Sequence, residues 1–406
     1  MKTIASLILA ALLILPSFTQ QQRFDISNSV NTFGINLLGE TVNQGGDGLN
    51  IALSTYSVWT LMATLVEGAR DNTLRQLQNT LRLPPNNKVL VRYNFQNLTR
   101  YMNVRSSAVN LETENAMFTN KEFPVKAAFE DAALQYYGVP ITPVNFRSPG
   151  PAAAIINRYV ARLTRNRIPN FVDSADLLDA QVFMASLLYF KGLWKSPFQR
   201  NATHTESFYD EKGNKIGDVE MMYQTSSLPF ARLEGLNAHA VELPYGSDGA
   251  TSMVLVLPFK GDGVAAVLGK MSRMRFSDVL QTIEDAARMY PDELIHLYLP
   301  KFKVSSNFNL NVVLTKIGIK DVFDYSKSNL LDMFDQYLYL SRLIQKAEIE
   351  VDEEGTIATA ATGASFVNKA SPARFRVNKP FLYFIVNKLT RSIVFAGKIS
   401  NPNTLK

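Results

Sequence analysis

Residues 355–365 read GTIATAATGAS, and ten of these eleven residues are Gly, Ala, Ser or Thr. The run follows a predicted strand at 347–351, whose sequence AEIEV alternates apolar and acidic residues, and an acidic bend at 352–354. Small residues near a proline are typical of an exposed surface loop. Small, β-tolerant side chains on alternate positions would also let this segment enter a sheet between two existing strands without a steric clash. The residues alone leave both interpretations open.

The rest of the chain predicts one mixed domain. Apolar residues recur at helical spacing in the first third and predict helices around 26–37, 58–66, 74–81, 127–137 and 152–164. Short apolar or alternating runs predict strands at 182–190, 240–243, 253–257, 294–299, 344–351, 381–386 and 393–396, with the last two joined as a hairpin. No Gly/Ser/Pro-rich linker divides the chain. Helices early and strands late predict an α+β fold.

The composition disfavours several classes of function. The absence of cysteine excludes disulfides, thiol catalysis and cysteine-based zinc sites. Three widely spaced histidines, His204, His239 and His296, form no metal motif, and the chain has no Gly-x-Ser-x-Gly elbow, so we expect neither a hydrolase nor a metal or other cofactor. The net charge of +6 arises from 42 basic and 36 acidic residues without a dense basic run, so nucleic-acid binding is not expected.

The first residues predict a secretion signal. A basic start precedes an apolar run over residues 4–15, which is too short to cross a bilayer as a helix and is broken by Pro16. We therefore predict a signal peptide at 1–19, cleavage near Thr19, and a secreted, extracellular domain over 20–406 that does not associate with membranes.

Two sequons predict that the secreted protein is a glycoprotein. Asn97 and Asn201 each begin an Asn-x-Thr triplet and would carry glycans if they are exposed. Since the chain has no cysteine, a secreted form depends on its apolar core for stability.

Several motifs, taken together and in order, resemble the serpin family over essentially the whole mature chain. The hinge sequence EEGT at 353–356, followed by the Ala/Thr run, is one of them. The others are NIALS at 50–54, EGA at 67–69, YFKGLW at 189–194, LPY at 243–245, SM at 252–253, LPKF at 299–302, NKPF at 378–381 and FAG at 395–397. The resemblance implies the serpin fold, with three β-sheets, about nine α-helices and an exposed reactive centre loop, here about 355–374.

The resemblance also implies a mechanism without catalytic turnover. A target serine protease cleaves the reactive centre loop and forms an acyl-enzyme, the loop inserts into the large sheet, and the protease is carried to the far pole and trapped. Strand insertion of this kind is a known example of stored strain. We therefore expect a monomeric suicide-substrate inhibitor that is not an enzyme.

The resemblance places the reactive bond by counting. In family members with this loop length, the scissile residue lies 14 positions after the hinge glycine and the proline of NKPF lies 25 after it. Pro380 is 25 positions after Gly355, and 355 + 14 gives Lys369, so the predicted bond is Lys369-Ala370. A lysine suits a trypsin-like protease, whose primary pocket has an acidic floor. Two other frames stay open: Phe366, which predicts a chymotrypsin-like target, and Arg374.

Other positions match functional regions of the family. The hinge comprises Glu353, Glu354, Gly355, Thr356, Ile357, Ala358 and Ala360. The shutter, a polar group under the centre of the large sheet, comprises Ser54, Ser57, Ser186 and Gln345. The breach, where insertion begins, comprises Trp194 and Glu353.

Four positions depart from the family pattern, and three of them, Ile357, Thr55 and Ser186, favour a second hypothesis. Ile357 replaces a usual Glu in the hinge, and Thr55 replaces a proline in the shutter. Ser186 lies where Asn is usual, and Gln345 where many members have His. Because buried polar groups need partners, these changes predict a rewired or weaker shutter. The alternative function is a non-inhibitory serpin that acts as a carrier, storage protein or chaperone.

A third question concerns polyanions. Lys88, Arg92, Arg100 and Arg105 fall near the helix with which some members bind glycosaminoglycans. Four charges spread over 18 residues are typical of an ordinary solvated face; the alternative is weak glycosaminoglycan binding that fades with salt.

Overall fold

The computed structural model describes residues 24–102, 108–354 and 372–403. The helices within them are α1 (Ile26–Gly45), α2 (Thr55–Gly68), α3 (Asp71–Thr80), α4 (Lys88–Met102), α5 (Ala127–Tyr137), α6 (Pro149–Leu163), α7 (Val264–Met271), α8 (Phe276–Met289) and α9 (Asn311–Ile317). The strands are β1 (Ile51–Leu53), β2 (Val109–Asn120), β3 (Ile141–Val144), β4 (Val182–Gly192), β5 (His204–Tyr209), β6 (Lys215–Ser226), β7 (Phe230–Leu233), β8 (Ala238–Tyr245), β9 (Thr251–Pro258), β10 (Ile295–Pro300), β11 (Phe302–Asn309), β12 (Leu340–Val351), β13 (Ala373–Arg376), β14 (Phe381–Asn387) and β15 (Ser392–Ile399).

These strands form three sheets. The five-stranded sheet has the order β11-β12-β4-β2-β3, the six-stranded sheet β1-β15-β14-β9-β8-β7, and the four-stranded sheet β13-β10-β6-β5. Together with the nine helices of the described residues, they confirm the predicted α+β fold with three sheets.

The centre of the five-stranded sheet is a parallel pair, β4 and β12. They are hydrogen-bonded neighbours from Val182 opposite Leu340 to Lys191 opposite Glu350. Their outer neighbours, β2 and β11, run antiparallel to them. No described strand lies between β4 and β12, and this parallel ladder is called the seam below.

Helix α2 runs through the core beneath the sheets. All 14 of its residues are buried, including Thr60, Thr64 and Glu67, whose polar atoms are hydrogen-bonded. It packs against α1, α5 and β15. Because Ser54, the residue before α2, is also buried, the N-terminus of this helix brings polar groups into the interior close to the seam.

Most of the predicted elements are confirmed, with small shifts at their ends. α5 spans the predicted 127–137 and ends at Gly138, whose φ of 66° is the left-handed conformation that glycine adopts readily. α6 begins at Pro149, before the predicted start, because proline suits the first turn of a helix. β14 and β15 form the predicted hairpin.

Several elements were not predicted, among them the helices α4 and α8 and the strands β2 and β6. The buried residues of α4, namely Val91, Phe95, Leu98 and Met102, recur at helical spacing, so its periodicity was a usable signal. β2 gave a weak signal, because its alternation of apolar and polar residues ends at Thr113 and Asn115, where polar residues take the apolar positions.

Candidate functional site

Part of the predicted site lies outside the described residues. This applies to the reactive bond Lys369-Ala370, the alternative Phe366, Arg105, the signal peptide, and the hinge positions Gly355, Thr356, Ile357, Ala358 and Ala360. They stay predictions. The shutter, the breach, both sequons and Arg374 lie within the described chain.

The described residues fix both ends of the predicted loop. β12 ends at Val351 in the five-stranded sheet, and β13 begins at Ala373 in the four-stranded sheet. β13 pairs in parallel with β10, and the alternative reactive residue Arg374 lies in this ladder opposite His296. The chain between therefore leaves one sheet next to the seam and enters another.

The four predicted shutter residues lie together under the seam. Gln345 on β12 is fully buried; its Oε1 accepts a hydrogen bond from Ser54 N at 3.0 Å. Its Nε2 donates to Ser54 O at 3.0 Å and to Ser186 Oγ on β4 at 2.9 Å. Ser54 Oγ donates to Ser57 Oγ at 2.7 Å. One amide thus ties both strands of the seam to the start of α2.

The short Ser186 side chain does not leave the network open. Gln345 is long enough to reach it, and amide groups both donate and accept. The polar group under the seam therefore includes Ser186 through its bond to Gln345. It also extends to Asn115 on β2, whose Nδ2 donates to Ser57 O at 3.1 Å, a contact that the sequence analysis missed.

Asn115 Oδ1 is a buried acceptor without a hydrogen-bond partner among the described residues. Thr55 is a second exception to the pattern of satisfied groups. Its Oγ1 is buried and has no hydrogen-bond partner among the described residues. Its side chain lies against α1 at Gly34, where an added Cβ would lie 2.8 Å from Thr55 Cβ. Thr55 therefore contributes close packing rather than a hydrogen bond.

The breach lies at the upper end of the seam, around Trp194. The buried Trp194 ring stacks on Tyr245 with ring centroids 4.4 Å apart. Its Nε1 donates to Asp352 O at 2.7 Å, and its backbone N–H donates to Glu354 O at 3.0 Å. Trp194 thereby holds the last described residues after β12 against the body of the protein.

Glu353 is the buried carboxylate of the breach. Its Oε1 accepts a hydrogen bond from Thr203 Oγ1 at 2.7 Å and pairs with Lys301 Nζ at 3.0 Å. Burial alone would raise the pKa of Glu353, but these bonds outweigh it and lower the pKa below its usual value. Glu353 is therefore ionised and partnered at neutral pH.

A second cation spans the seam beside Glu353. Lys191 Nζ on β4 lies 3.2 Å from Glu350, 3.0 Å from Asp352 and 3.2 Å from Glu354, all on or just after β12. Burial acts to lower the pKa of Lys191, but the three carboxylates raise it overall. Arg200 pairs with Glu354 at 3.2 Å from the other side. This group is called the Lys191 clamp below.

The comparison with known proteins agrees with this geometry. A family model described as "Serpin (serine protease inhibitor)" matches residues 28–402. The chain belongs to the serpin family.

Similar serpins come from distant animals. Serpin A3-1 of Bos taurus is 33% identical over 361 residues, which cover 87% of this chain and 84% of that protein. The "Serine protease inhibitor" of Cyanea capillata is 30% identical over 356 residues, covering 87% and 92%. The crystal structure of Manduca sexta serpin-12 superposes with a TM-score of 0.81 at 27% identity, covering 94% of this chain and 99% of that one.

Three cations of this serpin's breach were not predicted as site residues. Lys191 and Lys301 were recognised only as parts of family motifs, and Arg200 was not recognised at all. The acidic run at 348–354 could have predicted these cations, because carboxylates that become partly buried in a sheet need positively charged partners nearby.

The two sequons of this serpin differ in setting. Asn201 is exposed on a short turn before β5, whereas Asn97 on α4 is half-buried. The threonines of both triplets are engaged: Thr99 bonds Tyr56, and Thr203 bonds Glu353.

Two of the four cations considered for glycosaminoglycan binding point inward. Arg92 makes two hydrogen bonds to the buried Glu67 carboxylate, at 3.1 and 2.8 Å. Lys88 Nζ donates to Glu67 O at 3.0 Å, and Tyr137 OH donates to Glu67 Oε1 at 2.9 Å. Only Arg100 is a fully exposed member of the group within the described chain.

Neither a membrane span nor a metal site is found in the part of the chain that the structure describes. None of its helices combines the length and apolarity needed to cross a bilayer. No group of three or more of its His, Asp or Glu side chains is placed to hold a metal ion.

Proposed function

We propose that this serpin is a secreted suicide-substrate inhibitor of a trypsin-like serine protease, cleaved at Lys369-Ala370. The protease serine attacks the Lys369 carbonyl carbon, the bond to Ala370 nitrogen breaks, and an acyl-enzyme forms. The freed segment that begins at Gly355 then enters the five-stranded sheet while it still carries the protease. Deacylation stalls, so the inhibitor is consumed rather than turned over.

The observation that carries this proposal is the seam. β4 and β12 are parallel, and β12 runs toward the breach, so a segment that folds back from Val351 would enter between them antiparallel to both. Insertion would replace one parallel ladder with two antiparallel ladders, and antiparallel pairing is slightly more stable per residue. The sheet is thus arranged to gain a strand along its whole length.

The composition of the predicted strand supports the same mechanism. Thr356, Ala358, Ala360, Thr362 and Ala364 would share the face that becomes buried, and none is large or charged. Ile357 would lie on the opposite face, where a β-branched residue favours a strand. A cationic Lys369 suits a protease pocket with an acidic floor.

Incubation with trypsin tests the proposal. We expect an SDS-stable complex, and intact-mass analysis that places the cut after Lys369. Lys369→Gln should abolish the complex with trypsin, whereas Phe366→Ala should retain it. If Phe366→Ala abolishes trapping of chymotrypsin while Lys369→Gln changes nothing, the alternative reactive frame is correct.

Thermal unfolding gives a second readout. Cleavage in the loop should raise the melting temperature sharply, because the freed segment becomes a hydrogen-bonded central strand. An unchanged melting temperature after a cut at Lys369 would contradict insertion.

A non-inhibitory serpin, acting as a carrier, storage protein or chaperone, is the second candidate. The observation that favours it is the unpartnered Thr55 Oγ1 in the shutter, since an unsatisfied buried hydroxyl reflects an imperfect polar network. This candidate predicts cleavage by trypsin without any covalent complex.

Secretion, glycosylation and a monomeric state are part of the proposal. Expression in a secretory host should yield a chain that begins near residue 20, with added glycan mass at Asn201 more readily than at the half-buried Asn97. Light scattering should give the mass of one chain. For polyanions, the inward-facing Lys88 and Arg92 predict weak heparin binding that is lost at moderate salt.

A further inference from the structure

The outer side of helix α6 carries a row of arginines. The inner side of the helix is apolar and is buried in one cluster with residues of β2, β4 and β12: Ala152, Ala153, Ile156 and Val160. Arg158 and Arg162 lie one turn apart on the opposite side, and both are exposed. Arg165, two residues after the helix, extends the row, and its side chain is 76% exposed. The helix therefore faces the five-stranded sheet with apolar residues and the solvent with cations.

The row has few acidic neighbours. Residues 145–172 contain five arginines and no Asp or Glu. Glu112 on β2 lies 3.7 Å from Arg165 Nη1 and 3.0 Å from Arg167 Nη1. Arg158 and Arg162 make no ion pair with any residue that the structure describes. Two guanidinium groups are therefore available to an external anion, and two more share one carboxylate.

Two of these guanidinium groups are held in position by aromatic rings. Arg162 lies over the Tyr159 ring at 5.5 Å, and Arg167 lies over the Tyr189 ring at 3.9 Å. Such contacts restrict a long side chain, so less conformational entropy is lost when an anion binds it. A planar guanidinium group also pairs with two oxygen atoms of one anion at once. The row is thus arranged to bind anions that carry several oxygen atoms.

We propose that Arg158, Arg162, Arg165 and Arg167, called the α6 basic patch, bind a sulfated polysaccharide. The site is separate from the cations of α4, two of which turn inward to Glu67. The choice of polysaccharide rests on the proposed secretion, because sulfated polysaccharides are the polyanions that an extracellular protein meets. The attraction is electrostatic and should weaken as salt is added.

The surroundings of the α6 basic patch argue against two other polyanions. Single-stranded nucleic acids bind through exposed aromatic rings on which their bases stack, but arginines already lie over Tyr159 and Tyr189. An amphipathic helix binds a membrane through an apolar side that is turned outward, whereas the apolar side of α6 is buried against the sheet. A sulfated chain needs only positive charge and hydrogen-bond donors, which the patch supplies.

Heparin-affinity measurements on the full-length protein test the proposal. Arg158→Gln/Arg162→Gln should bind heparin about tenfold more weakly than the unmodified protein at low salt. Arg273→Gln/Arg275→Gln, at exposed positions between α7 and α8, changes the net charge equally and is the control. Arg100→Gln examines α4 in the same way. If the control or Arg100→Gln weakens binding as much as the patch variant does, the proposal is wrong.

Glu112→Gln gives a test of opposite sign that misfolding would not mimic. Removal of this carboxylate frees Arg165 and Arg167 for the ligand, so heparin should bind several-fold more tightly. Unchanged or weaker binding would contradict the proposal.

Two further ligands examine the chemical class of the partner. Duplex DNA and vesicles of phosphatidylserine and phosphatidylcholine should both bind the unmodified protein more weakly than heparin does. Tighter binding of either would overturn the assignment to a sulfated polysaccharide.

These binding measurements need no protease, so they give an answer whether or not the chain traps trypsin. Retention of the chain inside a secretory host would contradict the proposed function. Equal heparin binding by the unmodified protein and Arg158→Gln/Arg162→Gln would overturn the α6 site alone.

Discussion

The shutter and the breach close the same seam with different chemistry. In the shutter, one neutral amide, Gln345, bonds Ser54 and Ser186 in a fully buried site. In the breach, the hydrogen bonds of Trp194 are joined by ion pairs: Lys301 pairs with Glu353, and Lys191 pairs with carboxylates at a partly exposed edge. Neutral buried bonds do not respond to salt, whereas charged pairs near the surface do.

The difference implies that the two parts of the seam respond differently to solution conditions. The shutter sets a constant energy for separating β4 from β12, because its loss would leave buried donors and acceptors without partners. The breach is the end at which solution conditions can alter that energy. Variants in the two regions test this difference.

Gln345→Ala should lower the free energy of unfolding by about 3 kcal/mol, because it removes three hydrogen bonds and leaves a cavity. Urea denaturation measures this loss, and the same loss should be found at low and high salt. Gln336→Ala, at an exposed position before β12, is the control and should change stability by less than about 0.5 kcal/mol. A salt-dependent loss would contradict the comparison.

Gly34→Ala should cost about 2 kcal/mol, because the new methyl group would overlap Thr55 at the start of α2. Gly39→Ala in the same helix is a matched control: nothing lies within 4 Å of its added Cβ, so it should stabilise the protein by up to about 1 kcal/mol. Opposite signs in thermal melts would support tight packing beside the shutter. Equal effects would show that Thr55 is free to move.

Glu353→Gln should cost about 1.5 kcal/mol at pH 7, because it weakens charge-assisted bonds from Thr203 and Lys301. The folded pKa of Glu353 is lowered, so its contribution is fully present above the unfolded pKa of about 4.3 and is lost as the pH falls through the folded pKa. Urea denaturation from pH 7 to pH 3 should thus show the two proteins converging in acid. A constant difference across that range would contradict the assignment.

Lys191→Met should cost about 1 kcal/mol at low salt and much less in 1 M salt, since the clamp is partly exposed and is screened. Lys346→Met on β12 is the control, because Lys346 makes no ion pair with the described residues and should show no salt dependence. If both variants respond equally to salt, the clamp does not act across the seam.

The sequence predicted which helices and strands form better than it predicted which strands lie side by side. Helical periodicity located α1 and α5, and apolar runs located β4 and β12, because these signals are local. That β12 lies beside β4, 158 positions away at Leu340 and Val182, depends on the whole topology and could be inferred only through family resemblance.

The site shows the same limit. Gln345 was assigned to the shutter by its family position, but its reach to Ser186 required the coordinates, because it depends on the register of two distant strands. Lys191 lies in the YFKGLW motif, but the motif did not predict a role for it. An isolated lysine carries no signal of three carboxylates that arrive from another strand.

Glu67 shows how one buried carboxylate links surface chemistry to stability. Its carboxylate accepts two hydrogen bonds from Arg92 of α4 and one, at Oε1, from Tyr137 of α5. Lys88 of α4 donates to the backbone carbonyl of Glu67. A sulfated polymer that drew Arg92 outward would strip a buried anion of its counterion, which is costly. Ligands usually raise the melting temperature of the protein they bind. A polyanion that competed for Arg92 would bind more weakly, because part of its binding energy would offset the lost contact with Glu67. It would also destabilise the packing of α4.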